Sequence, residues 1–196
     1  MSYDFIEIGT ADFDTEIQVH GNRKGLSIDI IQEYLDNLPV VDNVQKICCG
    51  ISDKDGTVIA YKPNFPSHFP WWLRGCVSII KPHNHVIDFC RNNGVDYSQY
   101  IETRTVPILS VKTFIEKYKI NSVVFLKIDT EGHDCVILNA WLDYCIEHPT
   151  LLPKRILYES KDLTDPTELE RMRIRLKELN YKLEILEYDT NAILIE

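Results

Sequence analysis

Short apolar runs alternate along this chain with segments in which apolar residues recur at helical spacing. The short runs are predicted to be strands at residues 5–9, 25–29, 44–51, 123–126 and 155–159. The segments with helical spacing are predicted to be helices at residues 30–38, 86–90, 110–118, 136–144 and 165–179. Strands that alternate with helices in this way are typical of an α/β domain with a parallel sheet.

Two parts of the chain are predicted to form antiparallel hairpins. Residues 53–56 have the composition of a tight turn, so residues 57–61 are expected to fold back on the strand at 44–51. Residues 182–188 and 192–196 flank a second turn, Asp189-Thr190-Asn191, at the end of the chain. We therefore expect a single domain over residues 1–196, with a mostly parallel sheet of about seven strands and a C-terminal antiparallel hairpin.

Charge and composition narrow the classes of partner. The chain carries 21 Lys and Arg against 30 Asp and Glu, a net charge of −9, which counts against a broad contact with nucleic acid. No apolar run is long enough for a membrane span, and the first residues show no secretory signal, so a cytoplasmic protein is expected. In that compartment the six cysteines, which lack CxxC spacing, are expected to be reduced.

Four acidic residues fall at predicted strand ends: Glu7, Asp29, Asp129 and Glu159. Ligands of open α/β sheets bind at this edge. Asp29 follows Gly9 by 20 residues, the spacing at which a carboxylate accepts hydrogen bonds from both ribose hydroxyls of a nucleoside. The alternative is that Asp29 only caps the helix that follows it.

The turn after the first predicted strand, residues 9–15, indicates which charge that nucleoside carries. It holds a single glycine and two acidic residues, Asp12 and Asp14, rather than a GxGxxG pattern. The acidic side chains would repel a pyrophosphate, which disfavours a dinucleotide. S-adenosylmethionine fits better, because it has no phosphate and carries a sulfonium and an amino group.

The segment Phe125-Leu126-Lys127-Ile128-Asp129-Thr130-Glu131-Gly132-His133-Asp134 is the most specific motif in the chain. An apolar strand runs directly into a dense polar cluster at the start of a helix. This segment resembles the strand-end motif of the FkbM family of S-adenosylmethionine-dependent methyltransferases, and the resemblance extends over nearly the whole chain. Phe13 stands where the family more commonly has a second glycine, and Asp29-Ile30 where it often has Glu-Pro.

The resemblance implies a Rossmann-like class I methyltransferase fold and methyl transfer from S-adenosylmethionine to a hydroxyl of a sugar or small metabolite. It implies these cofactor-binding residues: Glu7, Gly9, Thr10, Asp29, Ile30, Ser52, Asp53 and Asp129. An alcohol acceptor must lose a proton, so a base is needed near the methyl group. The candidates for this base are Asp129 and His133, and Glu159 is expected to orient the acceptor. The alternatives are that Asp129 caps the next helix, that His133 bonds to solvent and that Glu159 bonds to the loop beside it.

Residues 61–82 form the one irregular stretch, rich in proline and, over 61–74, in aromatic residues. We interpret it as a lid or acceptor platform, in which Arg74 is available for an anionic group. Two alternatives are a homodimer contact and a small satellite core under a long loop.

Metal sites are not favoured. Cys76, His83, His85 and Cys90 match no common zinc spacing, and the two histidines are expected to point to opposite sides of an extended segment. A Mg²⁺ ion bound by Asp129, Glu131 and Asp134 is chemically feasible, but capping of the next helix explains three acids there equally well.

Two functions of other classes stay open at this point. A nicotinamide-dependent oxidoreductase has a similar fold, but the acidic first turn argues against it. A non-catalytic binding module that has lost its cofactor would explain Phe13, whereas the dense polar cluster at 129–134 argues for a working site.

Overall fold

The computed structural model describes residues 1–20, 22–161 and 163–195, and within them it forms an α/β domain. The strands are β1 (Ser2–Ile8), β2 (Gly25–Asp29), β3 (Val44–Cys48), β4 (Gly50–Ser52), β5 (Gly56–Pro63), β6 (Ile101–Ser110), β7 (Ser122–Ile128), β8 (Arg155–Glu159), β9 (Tyr181–Ile185) and β10 (Asp189–Leu194). The α-helices are α1 (Glu16–His20), α2 (Gln32–Asn37), α3 (Asn84–Asn92), α4 (Val111–Lys117), α5 (Asp134–Glu147) and α6 (Pro166–Glu178). Short 3₁₀ helices lie at Trp71–Gly75, Tyr97–Tyr100 and Pro149–Leu151.

The main sheet has seven strands in the order β3-β2-β1-β7-β8-β10-β9. The first five of these are parallel, and β10 and β9 close the sheet as an antiparallel hairpin. The chain moves outward in one direction from β1 to β3 and in the other from β7 to β9, so the order reverses between β1 and β7. This confirms the predicted Rossmann-like sheet and places its switch point, where such folds bind ligands, between those two strands.

Apolar residues cover both faces of the main sheet, as expected of parallel strands. On one face, Ile6, Leu126 and Ile156 pack with Phe114 and Trp141 of helices α4 and α5. On the other face, a smaller cluster is formed by Phe5, Ile17, Leu35, Leu38 and Val44. Because β1 is buried from both sides, the loop that follows it has a rigid base.

The predicted hairpin at residues 57–61 is wrong. The strand predicted at 44–51 divides into two, because β3 belongs to the main sheet and β4 to a second sheet of three strands in the order β4-β6-β5. Strand β5 pairs antiparallel with β6, not with the strand before it, and β6 pairs parallel with β4. The central strand of this sheet, β6, comes from a distant part of the chain that a local turn pattern could not reveal.

The C-terminal hairpin is confirmed, but its turn lies earlier than predicted. Residues 189–191 belong to β10, and Leu186 N donates a hydrogen bond to Asp189 O at 2.8 Å to close the turn. The end of the predicted last strand, Glu196, lies outside the described residues. Among the helices of the described residues, none combines the length and the apolar character that a membrane span requires.

Candidate functional site

A cavity of about 560 Å³ lies at the carboxyl ends of β1, β2, β7 and β8, within the size range of small-molecule sites. Seven of the predicted site residues line it: Gly9, Thr10, Asp29, Ile30, Asp129, His133 and Glu159. Glu7, Ser52 and Asp53 do not line it; each contacts an element beside the cavity instead. The roles assigned to all ten residues stay predictions.

Gly9 allows the loops after β1 and β7 to meet. Its backbone is left-handed, with φ = 84°, and a Cβ placed there would lie 1.8 Å from the carbonyl oxygen of Asp129. Gly9 N donates to Ile28 O at 2.8 Å, and Asp129 N donates to Ile8 O at 2.9 Å, which joins the ends of three neighbouring strands. No residue with a side chain fits at this floor of the cavity without moving the backbone.

Asp29 lies at the end of β2, is almost completely buried and lines the cavity. Its Oδ2 accepts a hydrogen bond from Ala11 N at 2.9 Å, and its Oδ1 accepts one from Ile31 N at 2.7 Å. Burial raises the pKa of this carboxyl to about 6, although its backbone hydrogen bonds favour the charged form. Ile31 directly precedes helix α2, so Asp29 holds the backbone on both sides of the cavity but does not bond to the first turn of that helix.

Glu7 is fully buried and holds the elements around the first loop together. Its carboxylate is 2.9 Å from Lys127 Nζ and accepts a hydrogen bond from Glu16 N at 3.0 Å, at the start of α1. Lys127 Nζ also donates to Asp14 O at 2.9 Å. Because both oxygens of Glu7 bond to the chain, this residue shapes the loop at 9–15 from outside the cavity.

The loop at 9–15 is clamped to the 3₁₀ helix Trp71–Gly75. Asp12 forms an ion pair of 2.8 Å with Arg74, so this arginine is not directed to an anionic ligand as the sequence suggested. The Phe13 ring contacts Trp71 edge to face at 4.8 Å between centroids. A Cβ at Gly75 would be 2.5 Å from the same ring, so the unusual Phe13 fills a space that only glycine leaves open.

Asp129 follows β7 directly and lines the cavity. Burial raises its pKa to about 8, and the carboxylates of Glu131, Asp134 and Asp189 add to the effect while Lys127 opposes it. A carboxyl group with this pKa keeps its proton at neutral pH. At pH 7, Asp129 can therefore donate a hydrogen bond to a ligand.

Asp134 does not fit the Mg²⁺ site considered from the sequence. It is fully buried and does not line the cavity. Its Oδ2 accepts from Thr130 Oγ1 at 2.8 Å and from Thr130 N at 3.3 Å, and its Oδ1 accepts from Glu159 N at 3.2 Å. These bonds tie the loop after β7 to the end of β8, so Asp134 has a structural role and does not face the cavity as a Mg²⁺ ligand.

The prediction that His83 and His85 point to opposite sides of an extended segment is wrong, since their ring centroids are 4.8 Å apart. The reason is that His85 lies in helix α3, which begins directly after His83, so the chain does not stay extended between them. The side-chain ligand atoms of Cys76, His83 and His85 lie within 4.8 Å of one another. The structure thus brings together three of the four zinc-ligand candidates of the sequence.

His133 precedes helix α5, and its hydrogen bonds indicate where its proton lies. Its Nε2 is 3.0 Å from Ser52 Oγ, and the Ser52 hydroxyl donates to Asp53 Oδ1 at 2.9 Å. A hydroxyl has one proton, so Ser52 must accept from Nε2–H, and Nδ1 keeps its lone pair. Burial lowers the pKa of His133, so the ring is neutral at pH 7.

The aromatic stretch divides between a satellite core and the cavity. Phe65 and Phe69 pack against Tyr100 and Phe89 around buried Leu73, which matches the satellite-core alternative. Trp71 and Trp72, which are 58% and 39% exposed, line the cavity instead. Their exposure thus belongs to the rim of the cavity, and a homodimer across them stays a prediction.

Sequence reasoning missed several residues of the cavity wall. The wall also includes Ala11, Tyr34, Cys49, Lys127, Tyr188 and Asp189, together with Glu131 and His85, which the sequence named only as metal-ligand candidates. Lys127 and Glu131 lie inside the recognised motif and could have been selected from it. Tyr34 and Tyr188 carry no local signal, because only the packing of α2 and the C-terminal hairpin brings them there.

Comparison with known proteins identifies the family of the chain. Residues 41–183 match the methyltransferase FkbM domain, which is more than half of the chain and includes the motif at 125–134. No significant match was found among curated proteins or among solved structures. The loop at 9–15 and Asp29 lie before the matched region, so the structure alone shows that they join the same cavity. The chain belongs to the FkbM methyltransferase family.

Proposed function

We propose that the protein is an S-adenosylmethionine-dependent O-methyltransferase that acts on a hydroxyl group of a sugar or another small metabolite. One observation carries the proposal: a member of a methyltransferase family has a cavity of about 560 Å³ at the switch point of the sheet. That cavity joins the cradle at Gly9 to the buried carboxylate of Asp29, the arrangement that binds nucleosides in such sheets.

The residues of this cavity fit a cationic cofactor without phosphate groups. Carboxyl groups from Asp14, Asp29, Glu131 and Glu159 line it, together with the amino group of Lys127. The residues that would hold the cofactor are Gly9, Thr10, Asp29, Ile30 and Asp129. Asp29 lines the cavity, so its carboxylate is placed to meet a ribose hydroxyl. The cofactor would supply a methyl group on a sulfonium, whose carbon–sulfur bond breaks as the acceptor oxygen bonds to the carbon.

The side chains around the cavity would bind and orient the acceptor hydroxyl. Holding that oxygen in line is the main task of the protein, because the methyl group is already activated. Asp129, with its raised pKa, would donate a hydrogen bond, whereas the neutral His133 offers the lone pair of Nδ1. Glu159 lines the same wall and would orient the hydroxyl. The exposed faces of Trp71 and Trp72 offer flat apolar surface to a sugar ring.

Calorimetric titration with S-adenosylhomocysteine tests the cofactor class without knowledge of the acceptor. We expect micromolar binding to the wild-type protein and a loss of about 10- to 100-fold in Asp29→Asn, because charge-assisted hydrogen bonds to the ribose are weakened. Asp36→Asn is the matched control, since Asp36 is an exposed residue of the neighbouring helix α2 that bonds only within that helix among the described residues. Its affinity should equal that of the wild type.

The same titration separates the alternatives. NADH binding in place of S-adenosylhomocysteine would favour an oxidoreductase. If neither ligand binds, the result would contradict the proposal and favour a binding module that uses no cofactor.

A further inference from the structure

Lys127 is the one lysine or arginine among the described residues that line the cavity. The acidic side chains of the same wall are Asp14, Asp29, Asp129, Glu131, Glu159 and Asp189. A ligand group with a negative charge is repelled by ionised carboxyl groups and attracted by an ammonium group. It therefore has one favourable position on this wall, beside Lys127.

Two hydrogen bonds hold the Lys127 ammonium group at the edge of the cavity. Its Nζ donates to Glu7 Oε1 at 2.9 Å and to Asp14 O at 2.9 Å. Glu7 is itself fixed, since its other oxygen accepts a hydrogen bond from Glu16 N at 3.0 Å. The Lys127 side chain is only 12% exposed. A lysine anchored in this way loses little conformational freedom when a ligand binds to it.

The ammonium group of Lys127 keeps one N–H donor for a ligand. A lysine has three such donors, and acceptors among the described residues occupy two of them. Burial lowers the pKa of Lys127, but the carboxyl groups of Glu7 and Asp129 more than reverse this effect, so the pKa is raised. Lys127 is therefore a cation at neutral pH with a donor to offer.

The proposed cofactor has one group that needs such a partner. S-adenosylmethionine and S-adenosylhomocysteine both end in an α-amino acid, and its carboxylate is the only negative charge of either molecule. The ammonium group of the same amino acid suits the acidic residues near Lys127. One of these is Asp189: burial raises its pKa, and the charge of Lys127 opposes that shift, so the two side chains lie close enough to interact.

We propose that Lys127 binds the carboxylate of the amino-acid end of the cofactor and thereby sets the direction in which the cofactor lies. The inference rests on the proposed S-adenosylmethionine-dependent function. Lys127 lies in β7 and Asp29 at the end of β2, and these strands are the two neighbours of β1. With its carboxylate at Lys127 and its ribose at Asp29, the cofactor crosses the switch point of the sheet above Gly9.

Three ligands separate the parts of the cofactor in calorimetric titrations. S-adenosylhomocysteine carries the complete amino-acid end. Decarboxylated S-adenosylhomocysteine keeps the ammonium group but lacks the carboxylate, and 5′-methylthioadenosine lacks both. All three share the nucleoside and the thioether sulfur, so a variant that only damages the cavity weakens all three together. We expect the wild type to bind S-adenosylhomocysteine about 10- to 100-fold more tightly than the decarboxylated ligand.

Lys127→Met removes the ammonium group and keeps most of the apolar length of the side chain. Affinity for S-adenosylhomocysteine should fall about 10- to 100-fold, because a charge-assisted hydrogen bond is lost. Affinity for 5′-methylthioadenosine should stay within about twofold of the wild type. Affinity for the decarboxylated ligand should not fall, because Lys127 only repels its ammonium group.

A second variant guards against a folding defect. Lys127→Met leaves the fully buried Glu7 without its cation, which is destabilising. Glu7→Gln/Lys127→Met removes both charges together, and it should show the same loss of S-adenosylhomocysteine with intact binding of 5′-methylthioadenosine. Lys112→Met is the matched control, because Lys112 is an exposed lysine of α4 that does not line the cavity. It should bind all three ligands as the wild type does.

The outcomes distinguish the inference from the proposed function. Equal loss of all three ligands in the double variant would overturn the inference. So would an unchanged preference of Lys127→Met for S-adenosylhomocysteine over 5′-methylthioadenosine. A wild-type protein that binds neither of these two ligands would instead overturn the proposed function.

Discussion

At the scale of single residues, the site depends on positions where a particular side chain, or none, is required. Gly9 is the sharpest case, because its left-handed backbone touches the carbonyl of Asp129 where a Cβ would stand. Asp29, by contrast, requires a particular side chain. Its carboxylate accepts hydrogen bonds from Ala11 N and Ile31 N while it lines the cavity. Each residue therefore joins local structure to the cavity, and substitution affects both.

Gly9→Ala should damage the site more than the fold. The added methyl group forces the loops after β1 and β7 apart and adds a left-handed backbone penalty of about 1–2 kcal/mol. We expect a melting temperature lower by about 4–8 °C, which is about 2 kcal/mol for a domain of this size. Binding of S-adenosylhomocysteine should be lost in calorimetry. Gly56→Ala is the control, since a Cβ there meets no atom within 4 Å although its φ is also positive; equal loss of binding in both variants would contradict the close-approach argument.

At the scale of elements, the loop at 9–15 and the 3₁₀ helix Trp71–Gly75 act as one unit over the cavity. The Phe13 ring fills the space at Gly75, Asp12 pairs with Arg74, and the hydroxyl of Tyr34 in α2 donates to Arg74 O at 2.5 Å. Phe13 stands where the resemblance to the family leads us to expect a second glycine. The contacts of Phe13 and Asp12 with the 3₁₀ helix fix the shape of the loop instead.

Phe13→Ala tests that unit. Removal of the ring leaves the loop and the 3₁₀ helix without their apolar contact, so the cavity wall becomes mobile and must be ordered when a ligand binds. We expect S-adenosylhomocysteine affinity to fall about 10-fold, which is about 1.4 kcal/mol. Tyr97→Ala, at an exposed aromatic residue outside the cavity, should leave affinity unchanged. Unchanged binding in Phe13→Ala would show that the loop is held by its polar contacts alone.

At the scale of the whole molecule, carboxyl groups with raised pKa values gather along one edge of the sheet. Burial raises the pKa of Glu7 to about 7, of Asp29 to about 6 and of Asp129 to about 8. The folded state therefore holds protons that the unfolded chain releases near pH 4. Above that pH, these groups lower the free energy of unfolding until each has lost its proton in the folded state as well.

The difference between wild type and Asp129→Asn isolates one such group. At pH 3.5 both side chains are largely uncharged in the folded and in the unfolded state, so the two melting temperatures should agree closely there. At pH 8.5 the wild type must carry a poorly solvated charge, so Asp129→Asn should melt about 2–4 °C higher, which is about 1 kcal/mol. Scanning calorimetry at the two pH values makes the measurement, and Asp42→Asn, at an exposed position, should show no such change. A constant difference at both pH values would contradict the raised pKa.

Local pattern determined much of this protein. Apolar runs and helical spacing predicted the main sheet, because a buried parallel strand leaves a continuous apolar signature. The motif at 125–134 predicted the family, and strand-end acids predicted Asp29, Asp129 and Glu159 in one cavity, because the carboxyl ends of parallel strands share one edge.

Only the tertiary structure decided the remainder, because it depends on contacts between residues far apart in the chain. The pairing of β5 with β6, and the meeting of Phe13 with Gly75, follow from three-dimensional packing that leaves no local period in the sequence. Glu7 illustrates the limit: its position at a strand end predicted a cofactor contact, but its pairing with Lys127 on the adjacent strand and with Glu16 N turns it away from the cavity. His83 and Glu131 are 48 positions apart in the numbering, yet lie 2.7 Å apart. Contacts of this kind form only in the folded chain, and they decide which groups of the site lie beside each other.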